Sequence, residues 1–216
     1  MTETGLFLTL EGIDGSGKST QMRLLAEALR RDGHDVVTTF EPGDTNIGRI
    51  VRQAVLEIHE EVDPMAEILL FASDRAQHVQ HLIRPALAEG KIVISDRYAD
   101  STRVYQGVAR GFPSELVEQV VELATGGLKP DLTLFYDISV EEALERTYRR
   151  ISSGKTRDRL DKEKTKFHEL AREGYLAIAR REPERFRVIE ANVPPDELHR
   201  RTMPIVTEFL AQHIKK

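Results

Sequence analysis

The sequence predicts an α/β fold, a five-stranded parallel sheet flanked by helices. Three observations predict it. Short apolar runs alternate with longer segments of helical period along the 216 residues. The strand-like runs are apolar enough to be buried on both faces, as strands of a helix-covered parallel sheet are. No internal repeat, low-complexity tract or flexible linker interrupts the alternation, so residues 1–216 are expected to form one domain.

LFLTLE (6–11) reads as the first strand. In the QMRLLAEALRRDG that follows, Met22, Leu25, Ala26 and Leu29 share one helix face, and Gly33 stands at the expected C-cap. DVVTTF (35–40) is the second strand. Asp63 and Pro64 supply an N-cap and first turn for a long helix through MAEILLFASDRAQHVQHLIRPALAEG. KIVISD (91–96) and PDLTLFYD (130–137) are the third and fourth strands, and Ser139 with Glu142 forms a capping box opening the next helix. FRVIEA (186–191) is the fifth strand, and a closing helix runs from about Pro195 to Ile214. Ligands of such a sheet gather at the carboxyl ends of its strands.

Composition narrows the class. A net charge of −5 gives no overall attraction to nucleic acid or anionic lipid. The chain has no cysteine, which excludes disulfides and thiolate metal sites. No apolar run approaches the ~20 residues of a membrane span, and the start, MTETG, lacks the basic and apolar regions of a signal peptide. A cytoplasmic enzyme is expected, with neither nucleic acid nor membrane as partner.

Gly12-Ile13-Asp14-Gly15-Ser16-Gly17-Lys18-Ser19 fits G-x-x-x-x-G-K-[ST] between a strand and a helix, with Thr20 next in line. Glycines let backbone N–H groups converge on phosphate oxygens, and the helix N-terminus adds its dipole. Lys18 is expected at the β/γ-phosphates of a nucleoside triphosphate and the Ser19 hydroxyl at Mg²⁺. The alternative, a chance glycine-rich turn, lacks the matched context. The loop does not by itself separate kinases from GTPases, ATPases or regulators, although no N-K-x-D guanine-reading motif follows. Asp14 is unusual there. A carboxylate facing the donor's phosphate would be repelled, so Asp14 is expected to point away from it; the alternative is a solvent-facing loop acid.

Asp96-Arg97-Tyr98 ends a strand, where an Asp can hold Mg²⁺ and an Arg can offer a planar fork to a phosphate. A structural Asp–Arg pair is the alternative. Phe71 and Arg75 stand at i, i+4 and share a helix face, so one can stack on a flat base while the other donates to its edge. The alternative is a core Phe and an exposed charge. Asp74, His78 and His81 share helical spacing that could suggest a metal site, but a polar helix face is the preferred reading.

These stretches, with Glu41-Pro42-Gly43, Tyr105-Gln106-Gly107, and Asp158-Arg159 ahead of Arg172 and Tyr175, resemble the bacterial thymidylate kinases from Phe7 to about Tyr175. The resemblance implies a three-layer P-loop NTPase fold of the nucleoside monophosphate kinase kind, and transfer of phosphate from ATP to dTMP with Mg²⁺, in dTTP biosynthesis. It implies that Asp14 accepts from the acceptor's 3′-hydroxyl and Arg97 grips its phosphate. Phe71 would stack on thymine and Arg75 bind its O4, with Thr102 and Gln106 against the base and Tyr105 crowding the 2′ position. Glu41 would lie near Mg²⁺ or the acceptor phosphate, or act structurally; Arg52 would lie near that phosphate, or be a solvated helix charge. A homodimer is implied. The chain departs from the family at Asp44, where a second Gly is usual, and Arg103 has no assigned role.

Residues 146–166 hold nine Lys/Arg against three acids in an acidic chain. A solvated surface is the plain reading. Phosphoryl transfer, however, needs cations around the moving group, and a lid at about 146–162, with Ser152-Ser153-Gly154 as punctuation, would supply them. Ile13 to Ser16 contain no Arg. This resembles family members whose lid carries the catalytic Arg, with Arg157 or Arg159 placed ahead of Arg149 and Arg150. The rival functions are another nucleoside monophosphate or deoxynucleoside kinase, and a nucleotide-binding regulator without catalysis.

Overall fold

The structure is a computed structural model describing residues 5–58, 60–152, 159–160 and 163–213. Five strands, β1 (Leu6–Glu11), β2 (Val36–Phe40), β3 (Ile92–Asp96), β4 (Leu132–Asp137) and β5 (Phe186–Glu190), form one parallel sheet in the order β2-β3-β1-β4-β5. Successive side chains of a strand face opposite sides, and the core divides accordingly. Leu8 and Leu10 of β1 join Ile92 and Ile94 of β3 on one side, while Phe7 and Val93 pack on the other. Several strands begin later than the apolar runs suggest. Asp131, ahead of β4, turns its carboxylate to accept from the Phe7 N–H at 2.8 Å.

The helices are α1 (Lys18–Arg31), α2 (Asn46–Arg52), α3 (Pro64–His78), α4 (Arg84–Ala88), α5 (Ala99–Thr102), α6 (Ser114–Thr125), α7 (Val140–Ser152), α8 (Thr165–Arg181) and α9 (Pro195–His213). Asp63 caps α3 by accepting from the N–H groups of Met65 and Ala66. The single long helix expected from residue 64 is interrupted by a π-helical stretch, Val79–Ile83, before α4. Pro85 lacks an N–H, and a register change there accommodates the lost helical bond. Similar π-helical stretches extend α2 (Gln53–Glu57) and α5 (Arg103–Ala109). The capping box at α7 is half made: Ser139 Oγ accepts from the Glu142 N–H, but the Glu142 carboxylate pairs with Arg146.

The chain leaves β1 towards one sheet edge and β4 towards the other. A crevice opens at the carboxyl ends where the directions part. The loop after β1 lies in it, so close to α7 that a Cβ on Gly15 would stand 2.3 Å from the Ala143 carbonyl oxygen. Among the described residues, no helix is long and apolar enough to cross a membrane.

Candidate active site

The glycine loop between β1 and α1 holds Lys18 with little exposure. Its Nζ donates to the carbonyls of Gly12 at 2.9 Å and Ile13 at 3.1 Å. Burial and the neighbouring Arg97 lower the Lys18 pKa, against the carboxylates of Asp96, Asp14 and Glu11. Gly12, Ile13 and Ser16 form the underside of the loop, with Ile13 in the core. Asp14, Gly15, Gly17, Lys18, Ser19 and Thr20 line a broad cavity, whose far wall carries Arg146, Arg149 and Arg150 of α7 and the segment Asn192 to Pro195. Ser19 Oγ donates to Asp96 Oδ2 at 2.6 Å. A hydroxyl and a carboxylate oxygen thus meet beside the loop lysine, a donor set that suits a hard cation such as Mg²⁺. No cluster of three or more His, Cys, Asp or Glu with metal-holding geometry occurs among the described residues.

A second, narrower cavity adjoins the first. Asp14, Glu41, Arg52, Phe71 and Arg75 line it, together with Arg97, Thr102, Tyr105 and Gln106. All nine residues expected at the acceptor therefore share one wall. Arg75, far from an exposed helix charge, is 2 % exposed. Its Nε donates to Glu41 Oε2 at 2.8 Å, Nη1 to Thr102 Oγ1 at 2.7 Å and Nη2 to the Tyr98 carbonyl at 3.0 Å. Gln106 donates to Glu67 Oε1 at 2.8 Å. Arg52 donates to the Pro42 carbonyl at 2.9 Å, with its guanidinium 5.9 Å from the Phe40 ring centre. Glu41 turns one carboxylate oxygen to Arg75 and the other to His78.

Asp14, Glu41, Arg52 and Arg97 line both cavities. Asp14 finds its basic partner outside the loop: Arg97 Nη2 donates to Asp14 Oδ1 at 2.8 Å. Burial alone would raise the Asp14 pKa, but Arg97 and Lys18 together hold its carboxyl well below the usual range. Arg97 Nη1 faces the hydroxyls of Ser101, Tyr105 and Tyr175 at 3.2, 3.3 and 3.4 Å. Its backbone has φ 74, the left-handed region that a side chain enters at a cost. The bond from its N–H to the Leu10 carbonyl at 3.0 Å, and that from Ser95 Oγ to its own carbonyl at 2.7 Å, hold it there.

Beneath Arg97 lies Glu11, fully buried. It accepts from the Tyr98 N–H at 2.9 Å, the Ser101 hydroxyl at 2.7 Å and the Tyr175 hydroxyl at 2.8 Å. Those hydroxyls give their protons to Glu11 and so present lone pairs to Arg97. Burial first, and the Asp100 carboxylate second, push the Glu11 pKa up to about 7. Its signal in the sequence is an acid ending a buried strand directly before the loop, LFLTLEG.

Of the lid cations, Arg157 lies outside the described residues, as does part of the segment 146–162. Arg159 lines neither cavity and donates to the Val55 carbonyl at 2.9 Å and to the buried carboxylate of Glu67. Arg149 and Arg150, with Arg146, line the Lys18 cavity. Asp74 and His78 are buried behind the acceptor wall, each 1 % exposed, and not part of a polar surface; His81 alone of the three is exposed. Arg103 sits outside both cavities, paired with Glu118 and Asp100.

The sequence profile of the family described as thymidylate kinase matches residues 10–202. The chain belongs to the thymidylate kinase family. It is 50% identical over 197 residues to a thymidylate kinase of Desulfosudis oleivorans, covering 89% of this chain and 92% of that one. Against a thymidylate kinase of Caldanaerobacter subterraneus subsp. tengcongensis it is 45% identical over 206 residues, covering 95% and 97%. The crystal structure of thymidylate kinase from Ehrlichia chaffeensis superposes with a TM-score of 0.74 at 32% identity, covering 94% of this chain and 98% of that one. In this thymidylate kinase family member the five-stranded parallel sheet is that of a P-loop kinase.

Proposed function

We propose that this chain transfers the γ-phosphoryl group of ATP to the 5′-phosphate of dTMP with Mg²⁺, giving dTDP and ADP in a cytoplasmic setting. One observation carries the proposal. The loop-lysine cavity and the cavity around Phe71 and Arg75 share Asp14, Glu41, Arg52 and Arg97, so two nucleotides can meet end to end there. The acceptor phosphate is already an anion and needs no strong base. Alignment and charge neutralisation are the tasks. Lys18 releases the loop carbonyls to reach the donor's phosphates. Arg97 grips the acceptor's phosphate, and Asp14 turns to the sugar hydroxyl. Ser19 and Asp96 would hold Mg²⁺, which neutralises charge on the transferred phosphoryl group. Arg149 and Arg150 are the α7 cations nearest to that task, with Arg157 and Arg159 as further lid candidates.

Phe71 stacks on the base, Arg75 donates to its carbonyl edge, Thr102 and Gln106 border it, and Tyr105 crowds the 2′ position. A homodimer is supported by exposed apolar side chains on two packed helices, Ile47 and Ile50 of α2 with Met65 and Leu69 of α3. ADP release should be measured with ATP and dTMP, dUMP, dCMP or thymidine. The fastest turnover is expected on dTMP and depends on added Mg²⁺; faster turnover on any other acceptor overturns the assignment.

A further inference from the structure

Asp44, Thr39 and His78 line neither cavity, yet they form one hydrogen-bonded chain behind the acceptor wall. Thr39 Oγ1 donates to Asp44 Oδ2 at 2.6 Å and lies 2.6 Å from His78 Nε2; His78 Nδ1 lies 2.8 Å from Glu41 Oε1. The proton inventory has one simple solution. Ionised carboxylates only accept, and a hydroxyl has a single hydrogen. Thr39 gives its hydrogen to Asp44, so its oxygen accepts from Nε2. Glu41 can only accept from Nδ1. With both carboxylates ionised, His78 donates at both ring nitrogens. The charged groups facing it are Glu41 after β2, Asp74 and Arg75 of α3, and Asp44 across Thr39. Asp74 in turn accepts from the Gly43 N–H at 3.2 Å, and a Cβ on Gly48 would stand 2.3 Å from its Oδ1, so α2 closes tightly over this cluster.

We infer that His78 is a positioning residue for the acceptor base, anchored by Asp44 through Thr39 and fixing Glu41, and through Glu41 the guanidinium plane of Arg75. The inference rests on the acceptor assignment made above. Arg75 has five N–H donors. Three are committed to Glu41, Thr102 and Tyr98, which fixes the plane and leaves one on each terminal nitrogen for a base. A carbonyl at the base's 4-position accepts from such donors, whereas the amino group of cytosine there does not. Loss of His78 lets Glu41 and Arg75 swing. The affinity for dTMP and its preference over dCMP then fall together, and by more than the affinity for ATP, since Arg75 lines only the narrower cavity. Asp44 becomes the outer anchor of that device.

Three measurements test this on the full-length protein. Steady-state kinetics of His78→Phe should show KM for dTMP raised about tenfold, the loss of one charged hydrogen bond, with kcat and KM for ATP within about twofold. The ratio of kcat/KM for dTMP to that for dCMP should fall about tenfold as well. Asp44→Gly should shift the same quantities in the same direction by a smaller factor, and the double variant should be no worse than His78→Phe alone. Nitrogen-15 NMR of the wild type, with the His78 signals identified by their loss in His78→Phe, should show two protonated ring nitrogens. A folded His78→Phe with unchanged KM and unchanged discrimination overturns the inference. So does an unprotonated ring nitrogen at His78, a readout that stands even where the Phe variant fails to fold. A wild-type protein that does not phosphorylate dTMP overturns the assigned function itself, which is a separate outcome from active wild type with indifferent variants.

Discussion

The two cavities are built by opposite means. On the acceptor side the polar groups are buried and bonded to one another: the side chains of Arg75 and Glu41 are each 3% exposed and sit 2.8 Å apart. On the donor side the α7 cation Arg149 is paired with Glu145 one helical turn earlier, at side-chain exposures of 69% and 53%. A buried network holds one arrangement, because an unmade bond there costs its full desolvation. An exposed pair contributes ~0–1 kcal/mol and reorganises freely. The wall around Phe71 and Arg75 is therefore stiff and the wall carrying Arg149 is loose. On the function proposed above, the first would discriminate among bases and the second would follow the moving phosphoryl group. Asp14 and Arg97 stand between them and are bonded to each other.

The largest break in this scheme is Lys18→Ala. It leaves the stiff wall intact, so dTMP binding measured by calorimetry should stay within a few-fold. Turnover should fall by about a thousandfold or more, as expected when a main cation of phosphoryl transfer is lost. Loss of less than tenfold would place the donor's phosphates elsewhere. Arg97→Ala comes next, acting on the junction. We expect kcat/KM for dTMP to fall by roughly 10² to 10³ with the dissociation constant for ATP nearly unchanged. Weakened ATP binding of the same size would mean that Arg97 belongs to the donor.

How much of this was legible follows the same division. The phosphate loop is readable because its chemistry occupies consecutive positions between a strand and a helix. Phe71 and Arg75 are readable as a pair because one turn of helix brings them together. The Arg97–Asp14 bond joins residues 83 apart in sequence, and His78–Glu41 joins residues 37 apart. Both depend on which strand ends are neighbours, which periodicity does not reveal. Residue type misleads most where charge is buried: Asp74 and His78 have the spacing of a solvated face, and only the packing of α2 over α3 turns them inward. The position of Arg159 against Glu67 is likewise a product of tertiary packing, since nothing in a basic run says which cation faces which cavity.

Glu11 tests the buried side through pH. Its pKa is raised from 4.5 to about 7 by burial and then by Asp100. The folded state therefore holds a proton that the unfolded chain has released, and the contribution of Glu11 to stability falls as pH rises from about 4.5 to about 7. Against Glu11→Gln, which cannot titrate, the wild type should lose up to about 3 kcal/mol of relative stability across that window, at 1.36 kcal/mol per pKa unit. Urea unfolding of both proteins at pH 5 and pH 8 measures it. A difference that stays constant between the two pH values would show that Glu11 is ionised throughout.

The smallest effect belongs to the loose wall. Glu145→Ala removes the partner of Arg149 without touching either cavity lining. Because both groups are exposed, their pairing is offset by solvation and side-chain entropy, and the unfolding free energy should change by less than about 0.5 kcal/mol. Turnover should be unchanged or slightly higher, since Arg149 is then no longer held back along α7 and turns more readily to the phosphates. A drop in kcat of tenfold or more, with stability preserved, would mean that the Glu145–Arg149 pair is itself a fixed part of the transfer geometry. The donor wall would then be as prebuilt as the acceptor wall, and the contrast between the two would be gone.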